Sequence, residues 1–380
     1  MPTRFQFRTA AEIRFGAGEI RALPEIVARF GRRVLLVTGV RSADRLDLPG
    51  RLHGFELVHA RVDGEPDVEA VDRAARSARE ARCEAVVGVG GGSALDAAKA
   101  AAAMAVHDGS VRDYLEDVGD GRSLSRPPLP FVAVPTTAGS GSEATRNAVI
   151  RVPDRQVKRS LRHDALLPRV ALIDPQLSGE APRAVAASAG LDALTHLLEA
   201  YVSTGAHPTT DALAVPGARR AFDALRALAD GRSDAASNDS MALASLWGGI
   251  ALANAGLGAV HGLVAPLGGR CRIAHGNACA CLLDATLAAN LAALRARAPS
   301  SPALARYEDL ARALGVPSAD ALPDALGRLR RDLGVPSLGA YGVKPDDLPA
   351  IVRDSRGSSM KTNPIVLTDA ELTAVLAASL

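Results

Sequence analysis

The segment AVVGVGGGSALDAAKA, Ala85 to Ala100, reads as a strand running directly into a helix. AVVGVG is short, apolar and rich in valine, the pattern of a strand buried on both faces. The helical run that follows, Ala94 to Val106, is built largely from alanine. Between them, Gly90, Gly91 and Gly92 allow the backbone to approach a phosphate closely. The helix N-terminus adds N–H groups and the positive end of a dipole. Ser93, three residues before Asp96, has the spacing of a capping box. The turn is not a clean GxGxxG fingerprint and no P-loop lysine follows it, so a tight, capped strand-to-helix turn is the competing reading.

Outward from this turn the same alternation repeats. Val34–Thr38, Glu56–Ala60, Phe131–Pro135 and Val170–Asp174 read as strands, and Asp67–Ala81 as a helix with Val68, Val71, Ala74, Ala75 and Ala78 on one face. Strands separated by helices predict a parallel sheet that binds ligands at its carboxyl ends. Pro135–Ser142, PTTAGSGS, follows the strand FVAVP directly and is dense in hydroxyls, so it suits a second wall of a nucleotide site. Lys158, one of four lysines, is a candidate for a ribose or phosphate contact. From Ala181 onward only helices are expected, among them Gly190–Thr204, Thr210–Ala229, Met241–Val260 and Ala278–Ala298. The reading is an α/β domain over 1–178 and an all-helical domain over 179–380.

Composition excludes several classes. With 44 basic and 42 acidic residues the net charge is +2, and aromatics are 3%. Neither nucleic-acid binding nor attraction to an anionic membrane has an electrostatic basis. Apolar residues at 48% exclude disorder. Four cysteines do not make a disulfide framework. Met241–Gly269 has no Asp, Glu, Lys or Arg, and at 1.5 Å per residue it exceeds the roughly 20 residues a bilayer needs. Ser245, Asn254, His261, many glycines and the lack of an aromatic belt instead favour a buried central helix. No apolar leader precedes the first strands, and a cytoplasmic location is expected.

Asp192 and His196 lie four apart within GLDALTHLLEAYVS, which puts both on one helix face. His261 is read as ending the uncharged helix, where an unpaired imidazole would be costly. His275 follows in a loop-like segment. One carboxylate and three neutral imidazoles suit Zn²⁺ or Fe²⁺. Cys271, His275 and Cys279 form a competing set at helical spacing, but a structural zinc would want a fourth donor. The cysteines are therefore read as small buried hydrophobes.

Together GVGGGSALDAAKA, PTTAGSGSEAT, GLDALTHLLEAYVS and the HG pairs at His261 and His275 resemble the iron-containing (group III) alcohol dehydrogenases. The motifs run in order along nearly the whole chain. The resemblance implies a Rossmann-like dinucleotide-binding domain, an all-helical metal domain and a cleft between them, the dehydroquinate synthase-like architecture. It implies Asp192, His196, His261 and His275 as metal ligands and catalytic residues, with Fe²⁺ or Zn²⁺ as the ion. It places Gly91, Gly92, Ser93, Asp96, Thr136, Thr137 and Ser140 around NAD(P)(H), with Lys158 near the ribose. The implied reaction is hydride transfer between the nicotinamide and an alcohol, aldehyde or ketone, in a homodimer or larger homo-oligomer. Alternatives on the same scaffold are a dehydroquinate-synthase-like enzyme, a glycerol-phosphate dehydrogenase and a non-catalytic binding protein. Two departures stand out. Ala265 occupies the place of a histidine that many members carry four residues after the third ligand. Gly39 stands where NAD-using members have Asp, and Arg41 could pair with a 2′-phosphate, so NADPH is expected to serve at least as well as NADH.

Overall fold

The computed structural model describes residues 4–40, 42–271 and 273–380. The chain forms two compact units, Thr9–Ala181 and Met1–Arg8 with Pro182–Leu380. The first is a Rossmann-like α/β unit and the second is all-helical.

The α/β unit contains strands β1 (Ile13–Phe15), β2 (Arg33–Gly39), β3 (Glu56–Val62), β4 (Ala85–Gly90), β5 (Phe131–Pro135), β6 (Asn147–Val152), β7 (Val157–Arg162) and β8 (Val170–Ile173). Six of them form a parallel sheet in the order β1-β8-β5-β4-β2-β3, while β6 and β7 make a separate antiparallel pair. The side chains alternate between faces as the pleat requires. Val34, Leu36, Val87, Val89, Val132 and Val134 fill one core, and Leu35, Val37, Val86, Phe131 and Ala133 fill the other. Helix α1 (Val68–Glu80) is started by Asp67, whose side chain accepts from the Ala70 N–H. Helix α2 (Gly92–Met104) lies against the sheet through its alanines. Its approach is close because Gly88 has no side chain: a Cβ there would stand 2.8 Å from Ala98 Cβ and 2.9 Å from the Phe131 ring.

The chain leaves β2 toward β3 on one side and places β4 and β5 on the other, so the strand order reverses between β2 and β4. Their carboxyl ends, Gly39 and Gly90, meet at this switch point, where open α/β sheets bind ligands. A Cβ on Gly90 would come within 3.2 Å of the Gly39 nitrogen.

The helical unit is built on α3 (Arg183–Val202), buried continuously from Gly190 to Val202, with α4 (Pro208–Ala229), α5 (Ala235–Ala255), α6 (Ala259–Arg270) and α7 (His275–Arg297) packed around it. Shorter helices, including Pro302–Leu314, Leu322–Asp332 and Asp369–Ala378, complete the same core. Arg8 joins this unit through Asn254, whose side-chain amide bonds the Arg8 backbone in both directions, at 2.7 and 2.8 Å.

The uncharged stretch Met241–Gly269 is not one helix. It is α5 and α6, bent by 100° at Gly256–Gly258. Gly256 takes φ +78°, which ends α5. Gly258 is held so closely that a Cβ would lie 2.8 Å from both Asn363 Oδ1 and Glu199 Oε1. Among the described residues α7 is the one unbroken helix long and apolar enough to cross a membrane, and 67% of its most apolar window is buried, the environment of a core helix.

Candidate functional site

On α3, Asp192, His196 and Glu199 recur at i, i+4 and i+7 and so share one face. All three are buried, as is His261 on α6. The bend corrects the expected placement of His261: it is the third residue of a new helix and not the last of an old one. Likewise His275 is not in a loop but opens α7. Asp192 Oδ1 then lies 3.6 Å from His196 Nε2, 3.5 Å from His261 Nε2 and 3.6 Å from His275 Nε2. The His196 and His261 rings stack at 4.6 Å. The His275 side chain is 45% exposed, so the cluster opens on that side.

Glu199 organises one edge of this group. Its Oε2 accepts from His261 Nδ1 at 2.6 Å and its Oε1 from the Val260 N–H at 2.7 Å. Asn363 Oδ1 accepts from the Ala259 N–H at 3.0 Å. These two side chains thus satisfy N–H groups at the start of α6, where no intrahelical partner exists. Bonding at Nδ1 directs His261 Nε2 toward Asp192. Burial alone would raise the Asp192 carboxyl, but His196, His275 and His261 outweigh it and hold it well below the usual carboxylate range. Burial would lower His261, yet Cys279, Asp192 and Glu199 raise it.

The donor set fits a divalent metal. Asp192 Oδ1 is buried and has no hydrogen-bond partner, an unfavourable state for a carboxylate unless a cation answers it. Two N/O donors about 2.1 Å from one tetrahedral ion lie about 3.4 Å apart, close to the 3.5–3.6 Å between Asp192 Oδ1 and each imidazole Nε2. One member of the site, Glu199, went unnoticed in the sequence, and another, Cys279, was read there as a small buried hydrophobe. Glu199 was visible as a carboxylate seven residues after Asp192 on an apolar helix. Cys279 is fully buried, with Sγ 3.6 Å from His261 Nε2. One donor atom each from Asp192, His261, His275 and Cys279 all lie within 4.8 Å of one another. Neither Cys271, the third member of the competing set, nor His196 is in that group. Ala265, one turn past His261, is exposed.

In the α/β unit the glycine-rich turn and the hydroxyl-rich turn touch. A Cβ on Gly92 would lie 2.8 Å from Ser140 Cβ and Oγ, and one on Gly91 would lie 3.3 Å from Thr137 Oγ1. The Thr136 N–H donates to Gly90 O at 2.9 Å. Gly39, Gly91, Gly92, Ser93, Thr136, Thr137 and Ser140 are therefore gathered at the carboxyl ends of β2, β4 and β5. The expected Ser93–Asp96 capping box does not form. The N-cap of α2 is Gly91, without a side-chain cap, because the close approach of the two turns sets the helix start. Asp96 is turned inward: its oxygens accept from Ser142 Oγ at 2.6 Å and the Val149 N–H at 2.9 Å. Lys158 is not at this turn's surface as a free cation. It is buried on β7 and paired with Glu65. Arg41 lies outside the described residues.

Lys99 was not singled out by the sequence. Fully buried on α2, its Nζ donates to Ser142 O, Ser142 Oγ, Thr145 O, Thr145 Oγ1 and Asn147 O, at 2.8 to 3.1 Å. It fastens the end of the hydroxyl-rich turn to the helix. Burial lowers its pKa to about 8, against the pull of Asp96 and Glu143. Burial raises Glu143, in the same turn, to about 7.

Residues 10–175 match the family model described as iron-containing alcohol dehydrogenase, and residues 186–380 match its C-terminal counterpart. The chain is 35% identical to Long-chain-alcohol dehydrogenase 1 of Geobacillus thermodenitrificans (strain NG80-2), covering 99% of this chain and 96% of that one. It is 33% identical to the NAD-dependent methanol dehydrogenase of Bacillus methanolicus, covering 78% and 77%. A solved 1,3-propanediol oxidoreductase superposes with a TM-score of 0.89 at 31% identity, over 99% of this chain and 100% of that chain.

Proposed function

Because the chain belongs to the iron-containing alcohol dehydrogenase family, we propose that Asp192, His196, His261 and His275 hold its metal while the Gly90–Ser93 turn holds its dinucleotide. The protein is a metal-dependent, nicotinamide-linked oxidoreductase acting on small alcohols or aldehydes. The observation that carries the site assignment is the buried, unpartnered Asp192 Oδ1 with three imidazole Nε2 atoms 3.5–3.6 Å away.

When bound, the metal supplies Lewis acidity to the substrate oxygen and the nicotinamide gives or takes the hydride. Glu199 keeps His261 in the tautomer that offers Nε2 to the cluster. The half-exposed His275 marks the side from which a substrate oxygen reaches the donors. Gly91, Gly92 and Ser93 at the uncapped start of α2 offer backbone N–H groups to the pyrophosphate. Thr137 and Ser140 add hydroxyls beside it, and Lys99 holds their loop in place. Ala265 carries no titratable group, so no side chain at this position can accept the substrate proton. Gly39 leaves the adenosine ribose end without a carboxylate, which favours acceptance of NADPH.

In this reading the Thr9–Ala181 unit is the dinucleotide-binding domain and the helical unit carries metal and substrate. The enzyme works in the cytoplasm as a homodimer or larger homo-oligomer. Metal analysis, combined with NADH and NADPH absorbance assays over short alcohols and aldehydes, tests the proposal. About one divalent ion per chain, with turnover lost on chelation and restored by Fe²⁺ or Zn²⁺, is expected. A metal-free protein that turns over undiminished would overturn it.

A further inference from the structure

We propose that Cys279 is a ligand of the metal, giving this site a thiolate beside its carboxylate and imidazoles. The inference deepens the metal-site reading and rests on it. His275 opens α7 and Cys279 follows one turn later, so both side chains leave the same helix face. Cys279 is fully buried, and its Sγ faces Asp192 and lies 3.6 Å from His261 Nε2. A nitrogen about 2.05 Å and a sulfur about 2.3 Å from one tetrahedral ion lie about 3.6 Å apart. That is the separation found.

Two further observations point to an ion at this place. Asp192 Oδ1, a member of the same group, is buried without a hydrogen-bond partner. The other cysteine on the helix behaves differently, since Cys281 donates to Pro336 O at 3.0 Å. A cysteine serving only as a small apolar filler has no need to rest on a ligand nitrogen. His196 stacks on His261 and lies 3.6 Å from Asp192, and Cys279 joins Asp192, His261 and His275 beside it as the thiolate donor. As the metal–sulfur bond forms, the thiol proton leaves to solvent. Sulfur in the donor set tips the site toward zinc or cobalt over iron, because thiolates favour the softer ions while imidazole serves all three.

The test uses the full-length protein stripped with chelator and loaded with Co²⁺ alone. Expected are visible ligand-field bands together with a near-ultraviolet sulfur-to-cobalt charge-transfer band. Cys279→Ser and Cys279→Ala should lose the charge-transfer band and keep the visible ones, and their zinc affinity should fall by at least about tenfold. Stoichiometric Co²⁺ with visible bands but no charge-transfer band in the parent protein overturns the thiolate and leaves the metal site standing. So does a charge-transfer band that persists in both variants. Failure to bind Co²⁺ at all overturns the metal site and this proposal together.

Discussion

Glu199 grips His261 twice, through the ring Nδ1 at 2.6 Å and through the N–H of the preceding residue at 2.7 Å. One carboxylate on α3 thereby fixes both the tautomer of an imidazole and the start of the helix that carries it. Glu199→Gln keeps the shape but loses the charge, and its amide can present a donor where an acceptor is needed. Metal affinity should fall about 10- to 100-fold, the usual cost of losing such a partner. Titration with Zn²⁺ against a competing chelator measures it, and an unchanged affinity would refute the positioning role.

His261→Ala should abolish turnover with the helical content retained. Loss of a ligand should exceed the roughly 100-fold ceiling of changes to its supports. The substitution also leaves Glu199 Oε2 buried without its partner, so a stability loss of about 1–3 kcal/mol is expected. Circular dichroism and steady-state rates check both parts. Turnover within tenfold of the parent, persisting in chelator, would sink the site assignment.

At the switch point, Gly39→Asp is structurally tolerated, since a Cβ there meets only Ser42 Oγ, at 3.5 Å. A carboxylate should gain a charge-assisted bond to the adenosine ribose of about 1.5–3 kcal/mol, roughly a 10- to 150-fold tightening of NADH. NADPH should weaken through repulsion of its 2′-phosphate. Fluorescence titration with both cofactors decides the matter. A parent enzyme that already prefers NADH more than tenfold contradicts the reading of Gly39.

Glu143 makes stability depend on pH. Its folded pKa is raised to about 7 from 4.5 by burial. Between those values the folded chain holds a proton that the unfolded chain has released, so stability falls as pH rises through this window. The loss is at most about 3 kcal/mol. Glu143→Gln should flatten the slope and melt higher than the parent above pH 7. Urea midpoints at pH 5 and pH 8 test this, and parallel behaviour of the two proteins would be the contrary result.

Strands β2, β4, β5 and β8 were legible because each is a short apolar run ended by glycine, proline or a polar turn, and β3, ELVHARV, was read in its first five residues. β1 has only three residues at a sheet edge, and β6–β7 alternate apolar with Arg, Asn and Ser, so neither carried that signal. Asp192 and His196 stood out by helical spacing, and the HG pairs by resemblance. Glu199 lay in the same motif and passed as an ordinary helix carboxylate. The pairing of Lys158 with Glu65, 93 residues away, has no local trace. The break at Gly256–Gly258 was hidden by uninterrupted apolar character. Its glycines are there, but Glu199 and Asn363 hold the chain against them, and both are remote in sequence.

The elbow between α5 and α6 also sets an order of events for a growing chain. Asn363, which secures the Ala259 N–H, is made 104 residues after it. Until that asparagine emerges, an uncharged run of nearly thirty residues has been synthesised without one of the contacts that hold its bend. The two arms of the elbow are apolar enough to bind a chaperone or to aggregate in that interval. A chain truncated downstream of α7 would therefore keep the Glu199 grip on His261 and Val260 but lack the asparagine that secures the Ala259 N–H at the elbow.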